Sequence, residues 1–271
     1  MINIAHLDGD ILVFRAAFAC EKAVYDLLVE GENPLHFDSA KSLDEYVRKN
    51  DIKEYFREKR RIIEPVEYVY SNLRNQIDTI TDRLRPDAVY IYLTGDNNFR
   101  RRITDTYKAN RDKSYRPHWF EEARQWLIQQ EQAIVVNGYE ADDAIGMNCK
   151  PGHTIVSIDK DLKTIPGQHY NFVKEEASVV SEDEADLNFW RQMLIGDVSD
   201  NVIAVKGIGP KKAEKLIRAD MSRQERVDEV VKQYNKHKLD FEQNYYLLRI
   251  LQSEDDYREV IDWLKTRQIP A

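Results

Sequence analysis

The sequence predicts an α/β fold with a mainly parallel central sheet flanked by helices, followed by a region of helices alone. Three observations predict it. Short apolar runs alternate with amphipathic stretches, the order that builds a parallel sheet. Three of those runs lead into an acid: Asp8, Asp96 and Asp159. From about Glu184 onward the strand-like runs stop.

Asn3 to Leu7 is the first run, and a helix is expected after it through Ile11 to Phe18. Residues 30–61 are charged with interspersed aromatics, which predicts an insertion with its own helix around Leu43 to Phe56. Val66, Val69, Leu73, Ile77, Ile80 and Leu84 recur at three- and four-residue steps, a helix that stops before Pro86. Ala88 to Thr94 is a strand running into Gly95-Asp96. The basic segment FRRRITDTYKANRDKSYR, Phe99 to Arg116, precedes a core-facing helix marked by Trp119, Phe120, Ala123, Trp126 and Leu127. Ala133 to Val136 leaves into GYEADDAIG (Gly138 to Gly146), and Thr154 to Ile158 ends at Asp159-Lys160-Asp161. Helices then carry Phe189 to Leu194, Lys211 to Ile217 and Tyr245 to Leu251. The division expected is an α/β domain at 1–183, with the helical insertion near 30–61, and a helical region at 184–271.

Of the 271 residues, 42% are hydrophobic and 32% charged, the balance of a soluble protein with a packed core. No apolar run approaches the roughly 20 residues of a membrane helix. The start, MINIAHLDGD, lacks the features of a secretory leader. Cys20 and Cys149 form no CxxC pair, which argues against disulfide or thiolate-zinc chemistry and for a reducing cytoplasm. The net charge of -8 opposes a nucleic-acid partner unless the surplus acid serves another purpose.

Ligands of open parallel sheets sit outside the carboxyl ends of the strands. Asp8, Asp96 and Asp159 should therefore meet at one edge, joined by Glu140, Asp142 and Asp143 at the next helix start. Asp161 follows Asp159 closely, and Asp197 and Asp200 lie in GDVSDN, Gly196 to Asn201. Singly, an acid at a helix start needs only the helix dipole. Together they repel: two carboxylates about 5 Å apart cost roughly 3 kcal/mol at an effective dielectric near 20. Cations must neutralise such a group, and oxygen-only ligands favour Mg²⁺ or Mn²⁺ over zinc. The acids outnumber the needs of one ion, so two are expected, placed to clamp a phosphodiester.

The basic segment follows the strand that ends near Asp96. Lys108 and Arg111 there could grip a phosphate, and Tyr107 could stack on a base. In KGIGPKKAEKLI, Lys206 to Ile217, the Gly207-Ile208-Gly209 turn can face backbone N–H groups to a phosphate, with Lys211, Lys212 and Lys215 as counter-charge. That reads as a helix–hairpin–helix element gripping duplex without sequence readout.

These motifs, taken in order, resemble the 5′-nuclease (flap endonuclease) superfamily, in particular the 5′→3′ exonucleases of T-odd bacteriophages and the 5′-nuclease domain of bacterial DNA polymerase I. The resembling residues are LDGD…FR (Leu7 to Arg15), GD…FR (Gly95 to Arg100), YKANR (Tyr107 to Arg111), GYEADDAIG, SIDKDLKTIP (Ser157 to Pro166), and GDVSDNV followed by KGIGPKKA. The resemblance implies a PIN-like sheet with a helix-three-turn-helix element. It implies a structure-selective nuclease, both 5′→3′ exonuclease and flap endonuclease, working through two Mg²⁺ or Mn²⁺ in phage or bacterial DNA replication. Asp8, Asp96, Glu140 and Asp142 match the first metal group; Asp159, Asp161, Asp197 and Asp200 match the second, with Asp143 close by. Lys108, Arg111 and Tyr107 match the groups beside the scissile phosphate. Arg100, Lys206, Gly207, Gly209, Lys211, Lys212 and Lys215 are expected on DNA, with K⁺ at the glycine turn. The implied partner is DNA with a 5′ end or flap, or an RNA–DNA hybrid, met by a cytoplasmic monomer in a bacterial or phage-infected cell. Ile203-Ala204 replace the family's usual proline and glycine. No polymerase segment follows, which implies a stand-alone enzyme.

Two other readings compete. Asp8-Gly9-Asp10 after a strand also resembles the nucleophile motif of haloacid-dehalogenase-type phosphatases, which leaves YKANR and GIGPKK unexplained. A non-catalytic DNA-binding scaffold would have no use for the acids.

Overall fold

The computed structural model describes residues 2–111 and 116–267; Lys113 of the basic segment lies outside them. Strand β1 (Ile4–Asp8) leads into α1 (Gly9–Phe18), then β2 (Glu21–Leu28), β3 (Leu35–Phe37), α2 (Ala40–Lys49), β4 (Phe56–Ile63) and α3 (Val66–Leu84). After β5 (Ala88–Thr94) come α4 (Arg100–Ile103), α5 (Phe120–Gln130), β6 (Ile134–Val136), α6 (Ala141–Asn148) and β7 (Thr154–Val156). A 3-10 turn at Asp161–Thr164 precedes β8 (Gly167–Asn171) and β9 (Glu176–Val180). The helices α7 (Glu182–Ile195), α8 (Pro210–Leu216), α9 (Arg223–His237), α10 (Phe241–Leu248) and α11 (Glu254–Thr266) complete the described chain.

The chain divides into two compact units. One comprises residues up to Ile11, Asp78–Tyr115 and Leu127 onward; the other comprises Leu12–Ile77 and Arg116–Trp126. The first unit holds a six-stranded sheet of order β6-β5-β1-β7-β8-β9. Its pairs are parallel except β8 with β9. In this register Leu7 lies opposite both Ile91 and Val156, so β1 is central and its Ala5 and Leu7 are buried. Ala144, Ile145, Ile155 and Leu162 pack one core of this unit, and Met193, Leu194, Ala213, Ile217 and Val230 pack another among its helices. The mainly parallel sheet and the helical C-terminal region are as expected. The change from strands to helices falls between β9 and α7, yet the sheet and those helices belong to one unit.

The second unit corrects the helical insertion. Helix α2 ends at its Asn50 cap, with left-handed Asp51 following (φ 50°). Residues 56–63, FREKRRII, are not helix but a strand paired along its length with β2, from Glu21↔Ile63 to Leu28↔Phe56. With β3 this makes a three-stranded sheet of order β3-β2-β4. Its charges find partners across strands: Arg61 bridges Glu21 at 3.0 Å, and Arg60 bridges Asp26. Leu27, Leu43 and Val47 form the small core beneath it. Among the described residues no helix is long and apolar enough to cross a membrane.

Candidate active site

Strands β1, β5 and β7 lie side by side and run the same way, so their carboxyl ends share one edge. Asp8 is the last residue of β1 and is 4% exposed. It accepts hydrogen bonds from the Ile11 N–H (3.1 Å) and the Ser157 hydroxyl (3.0 Å). Gly9 lets this junction press on β5; a Cβ there would lie 2.6 Å from the Tyr92 carbonyl oxygen. Asp10 turns to the same strand, accepting from the Thr94 N–H at 3.0 Å. Asp96 is exposed just beyond β5, its backbone held by Asn137 Oδ1 (2.9 Å) and the Gly138 N–H (2.9 Å).

Glu140 caps α6, and Asp142 and Asp143 occupy the helix's first turn. Burial, then the nearby charges of Asp8, Asp159 and Glu140, push the Asp142 carboxyl well above the ordinary range. Burial, then Asp10, push Asp8 up to about 7. Burial opposes the charge on Glu140 too, but Lys108 and Arg100 outweigh it and hold its pKa below normal. Lys108 Nζ forms an ion pair with Glu140 Oε1 and stands 3.5 Å from Asp200 Oδ2.

Three residues depart from their expected roles. Asp143 is fully buried and saturated: Arg100 reaches both its oxygens (2.6 and 2.9 Å), and the N–H groups of Glu140 (3.0 Å) and Leu251 (2.9 Å) also donate to it. No position is left on it for a metal. Arg100, 3% exposed, spends its remaining donors on the carbonyls of Leu247 and Arg249 and cannot reach DNA. Tyr107, 1% exposed, packs in the core with Met193 and Val205; its hydroxyl donates to Asp200 Oδ2 (2.8 Å) and lies 3.1 Å from Glu140 Oε2. It offers no face to a base. Removing one member of a buried ion pair leaves the other charge stranded. Arg100→Met should therefore lower unfolding stability by about 3–5 kcal/mol, and adding Asp143→Asn should restore part of it. Urea denaturation reads both; an unchanged midpoint for the single variant would disprove the pairing.

The second acid group lies on two loops. Asp159 Oδ1 accepts the Asp161 N–H at 2.9 Å, and the Asp159 N–H donates to Ser157 Oγ at 3.0 Å. Burial, then Asp159, push Asp161 up to about 7, and it hydrogen-bonds to Asp197. Burial would raise Asp197 as well, but the bonds from Asp161, Ser199 and Asp200 carry it below its usual value. Asp200 pairs with the half-exposed Arg111 at 2.5 Å. Ser157, which opens the SIDKDLKTIP motif but carries no role in the sequence expectations, joins the two groups, bonding Asp8 on one side and the Asp159 backbone on the other.

At the glycine turn Ile208 is buried, while Lys206, Gly207, Gly209, Lys211, Lys212 and Lys215 are exposed. Gly207 holds φ 77°, in the left-handed region, and its carbonyl accepts from Lys212 Nζ at 3.2 Å. The turn opens α8, as the hairpin reading requires.

The donor set is all oxygen, in keeping with a hard divalent cation. Among the described residues, no three His, Cys, Asp or Glu side chains stand in a ready coordination cluster. Burial and the charge of Asp159 nevertheless push up the carboxyls of Asp8, Asp142 and Asp161 alike, crowding of the kind such an ion relieves.

A family model described as the 5′–3′ exonuclease, N-terminal resolvase-like domain matches residues 3–189. A 5′–3′ exonuclease of Bacillus subtilis is 30% identical over 183 residues, covering 57% of this chain and 59% of that protein. A thermostable DNA polymerase I of Thermus thermophilus is 26% identical over 178 residues, covering 57% of this chain and 21% of the polymerase. The chain spans only 10% to 21% of the DNA polymerase I chains it matches. Among solved structures, a bacteriophage T5 D15 flap endonuclease in a pseudo-enzyme-product complex with DNA and metal ions is similar, with a TM-score of 0.61. At 16% identity, over 96% of this chain and 92% of that one, the likeness speaks for the fold alone.

Proposed function

Because this chain belongs to the 5′–3′ exonuclease family with the N-terminal resolvase-like domain, we propose that it is a structure-selective 5′-nuclease cutting DNA at 5′ ends and 5′ flaps. The observation that carries the reading is the mutual repulsion of Asp8, Asp142 and Asp159 at the carboxyl edge of the sheet, with Lys108 and Arg111 beside it. When bound, a pair of Mg²⁺ or Mn²⁺ ions supplies Lewis-acid charge to the attacking and leaving oxygens of a phosphodiester. Asp8, Asp96, Glu140 and Asp142 would hold one; Asp159, Asp161, Asp197 and Asp200 would hold the other. Asp143 is left out, because its oxygens serve Arg100. Lys108 and Arg111 exchange their carboxylate partners for the scissile phosphate and orient it. Ser157 fixes Asp8 and Asp159 relative to each other. A phosphatase nucleophile at Asp8 fits poorly, since that carboxylate is buried and both oxygens accept hydrogen bonds.

A role in DNA replication, tolerance of an RNA–DNA hybrid, action as a monomer and a cytoplasmic setting belong to the same proposal. So does K⁺ at the Gly207–Gly209 turn, where it would compete with Lys212 for the Gly207 carbonyl. The deciding experiment is cleavage of labelled 5′-flap and 5′-recessed duplexes with and without Mg²⁺. Absence of metal-dependent cutting across salt and pH would remove the reading.

The exposed lysines of the hairpin make a separate prediction. Replacing Lys211, Lys212 and Lys215 together with alanine should weaken duplex binding equally for all sequences. It should also flatten the plot of log affinity against log salt by up to about 0.9 for each phosphate the lysines no longer neutralise. Fluorescence anisotropy over a salt series measures this, and an unaltered slope would take the hairpin off the DNA.

A further inference from the structure

Residues 104–111 and the loop 197–201 are stitched together by bonds that the acids and cations do not account for. The Lys108 N–H donates to the Asp200 carbonyl at 2.9 Å. Asn201 Nδ2 donates to the Thr106 carbonyl at 2.9 Å, and Asn110 Nδ2 to the Val198 carbonyl at 2.7 Å. Each asparagine therefore reaches across to the other segment's backbone, one in each direction. Lys108 and Asn201 both hold left-handed backbone, φ 55° and 59°. Asparagine tolerates that region and lysine disfavours it, so the Lys108 turn needs outside support.

We infer that Asn110 and Asn201 are positioning residues that lock the segment bearing Lys108 and Arg111 onto the Asp197–Asp200 loop. The inference rests on the proposed nuclease function. Both amides are neutral and spend a donor on a backbone carbonyl, so their contribution is register rather than charge. Both residues are exposed, so losing either bond should loosen this clamp without unfolding the protein. With the clamp intact, Lys108 and Arg111 arrive at the phosphate pre-set; without it, the same cations are present but misplaced.

The test uses Asn110→Ala and Asn201→Gly, the glycine preserving the left-handed backbone while removing the side-chain bond. Hydrogen exchange of the amides in 104–111 should quicken by about tenfold or more in each variant, with exchange in β1 and β5 unaltered. On a 5′-flap substrate kcat should fall about 10- to 100-fold with KM changed less than about twofold. In a Lys108→Met/Arg111→Met background, adding both asparagine changes should alter kcat less than about twofold, since nothing remains to be positioned. Unchanged exchange, or an equal further loss in that background, overturns the inference. The exchange arm needs no catalysis. A wild-type protein that cuts no DNA yet loosens on substitution would therefore overturn the nuclease reading and, with it, the positioning role.

Discussion

Asp142→Asn should abolish metal-dependent cleavage, by at least about three orders of magnitude in kcat, and yet raise the melting temperature of the metal-free protein. Both effects have one cause. Asp142 is held at the edge where burial, Asp8, Asp159 and Glu140 all disfavour its charge. An asparagine keeps the shape and removes the repulsion, for a gain on the order of 1–2 kcal/mol. The same change removes an oxygen ligand that the proposed mechanism needs. A variant that stayed fully active with Mg²⁺, or melted lower than wild type in a chelator, would refute the account.

The pH dependence follows with a definite sign. A carboxyl whose folded-state pKa lies above its unfolded value binds more protons folded than unfolded in the interval between them. Stability then falls as pH rises through that interval. For Asp8 and Asp161 the interval runs from 3.8 to about 7. The metal-free protein should thus lose stability between about pH 4 and 7 as these groups are forced to ionise. Saturating Mg²⁺ reverses the trend, adding about 2.7 kcal/mol at 100 times its dissociation constant. In Asp142→Asn both the pH slope and the response to Mg²⁺ should shrink.

The contrast between Asp142 and Asp143 shows what the sequence could and could not disclose. Strand ends at Asp8, Asp96 and Asp159 were legible because an apolar run followed by an acid fixes both the element and its carboxyl edge. Neighbours on a helix are not so easily separated. Successive side chains diverge by about 100°, so of two adjacent aspartates one faces the edge and the other turns inward to Arg100. Nothing in the letters EADD says which. Tyr107 and Lys108 divide the same way, one into the core and one toward the acids. Strand β4 was missed for a different reason. FREKRRII has no apolar alternation, and its pairing with β2 is visible only once Glu21 and Asp26 reach Arg61 and Arg60 diagonally across the strands. The β8–β9 hairpin likewise carries mostly exposed side chains on its outer strand and left no periodic trace.

Lys108→Met should lower kcat about 10²- to 10³-fold with KM nearly unchanged, agreeing with Asp142→Asn in the direction of its effect on activity while opposing it in stability. Lys108 Nζ sits between Glu140 and Asp200, and its charge, ahead of that of Arg100, favours the ionised Glu140 carboxyl against burial. Methionine fills the same space and still covers the Tyr107 ring, which lies 5.0 Å from the ammonium. Among the described residues it leaves Glu140 with Arg100, 3.9 Å away, as its remaining ion-pair partner. The metal-free variant should therefore melt lower than wild type, and added Mg²⁺ should recover more of its stability than it does for wild type. Single-turnover cleavage and thermal melts in chelator and in Mg²⁺ separate the two roles. If kcat were unaffected, Lys108 would be no more than a counter-ion for its acids. If the melting temperature in chelator rose as it does for Asp142→Asn, the ion pair with Glu140 would carry no stabilising weight, and the opposition between the two variants would fail.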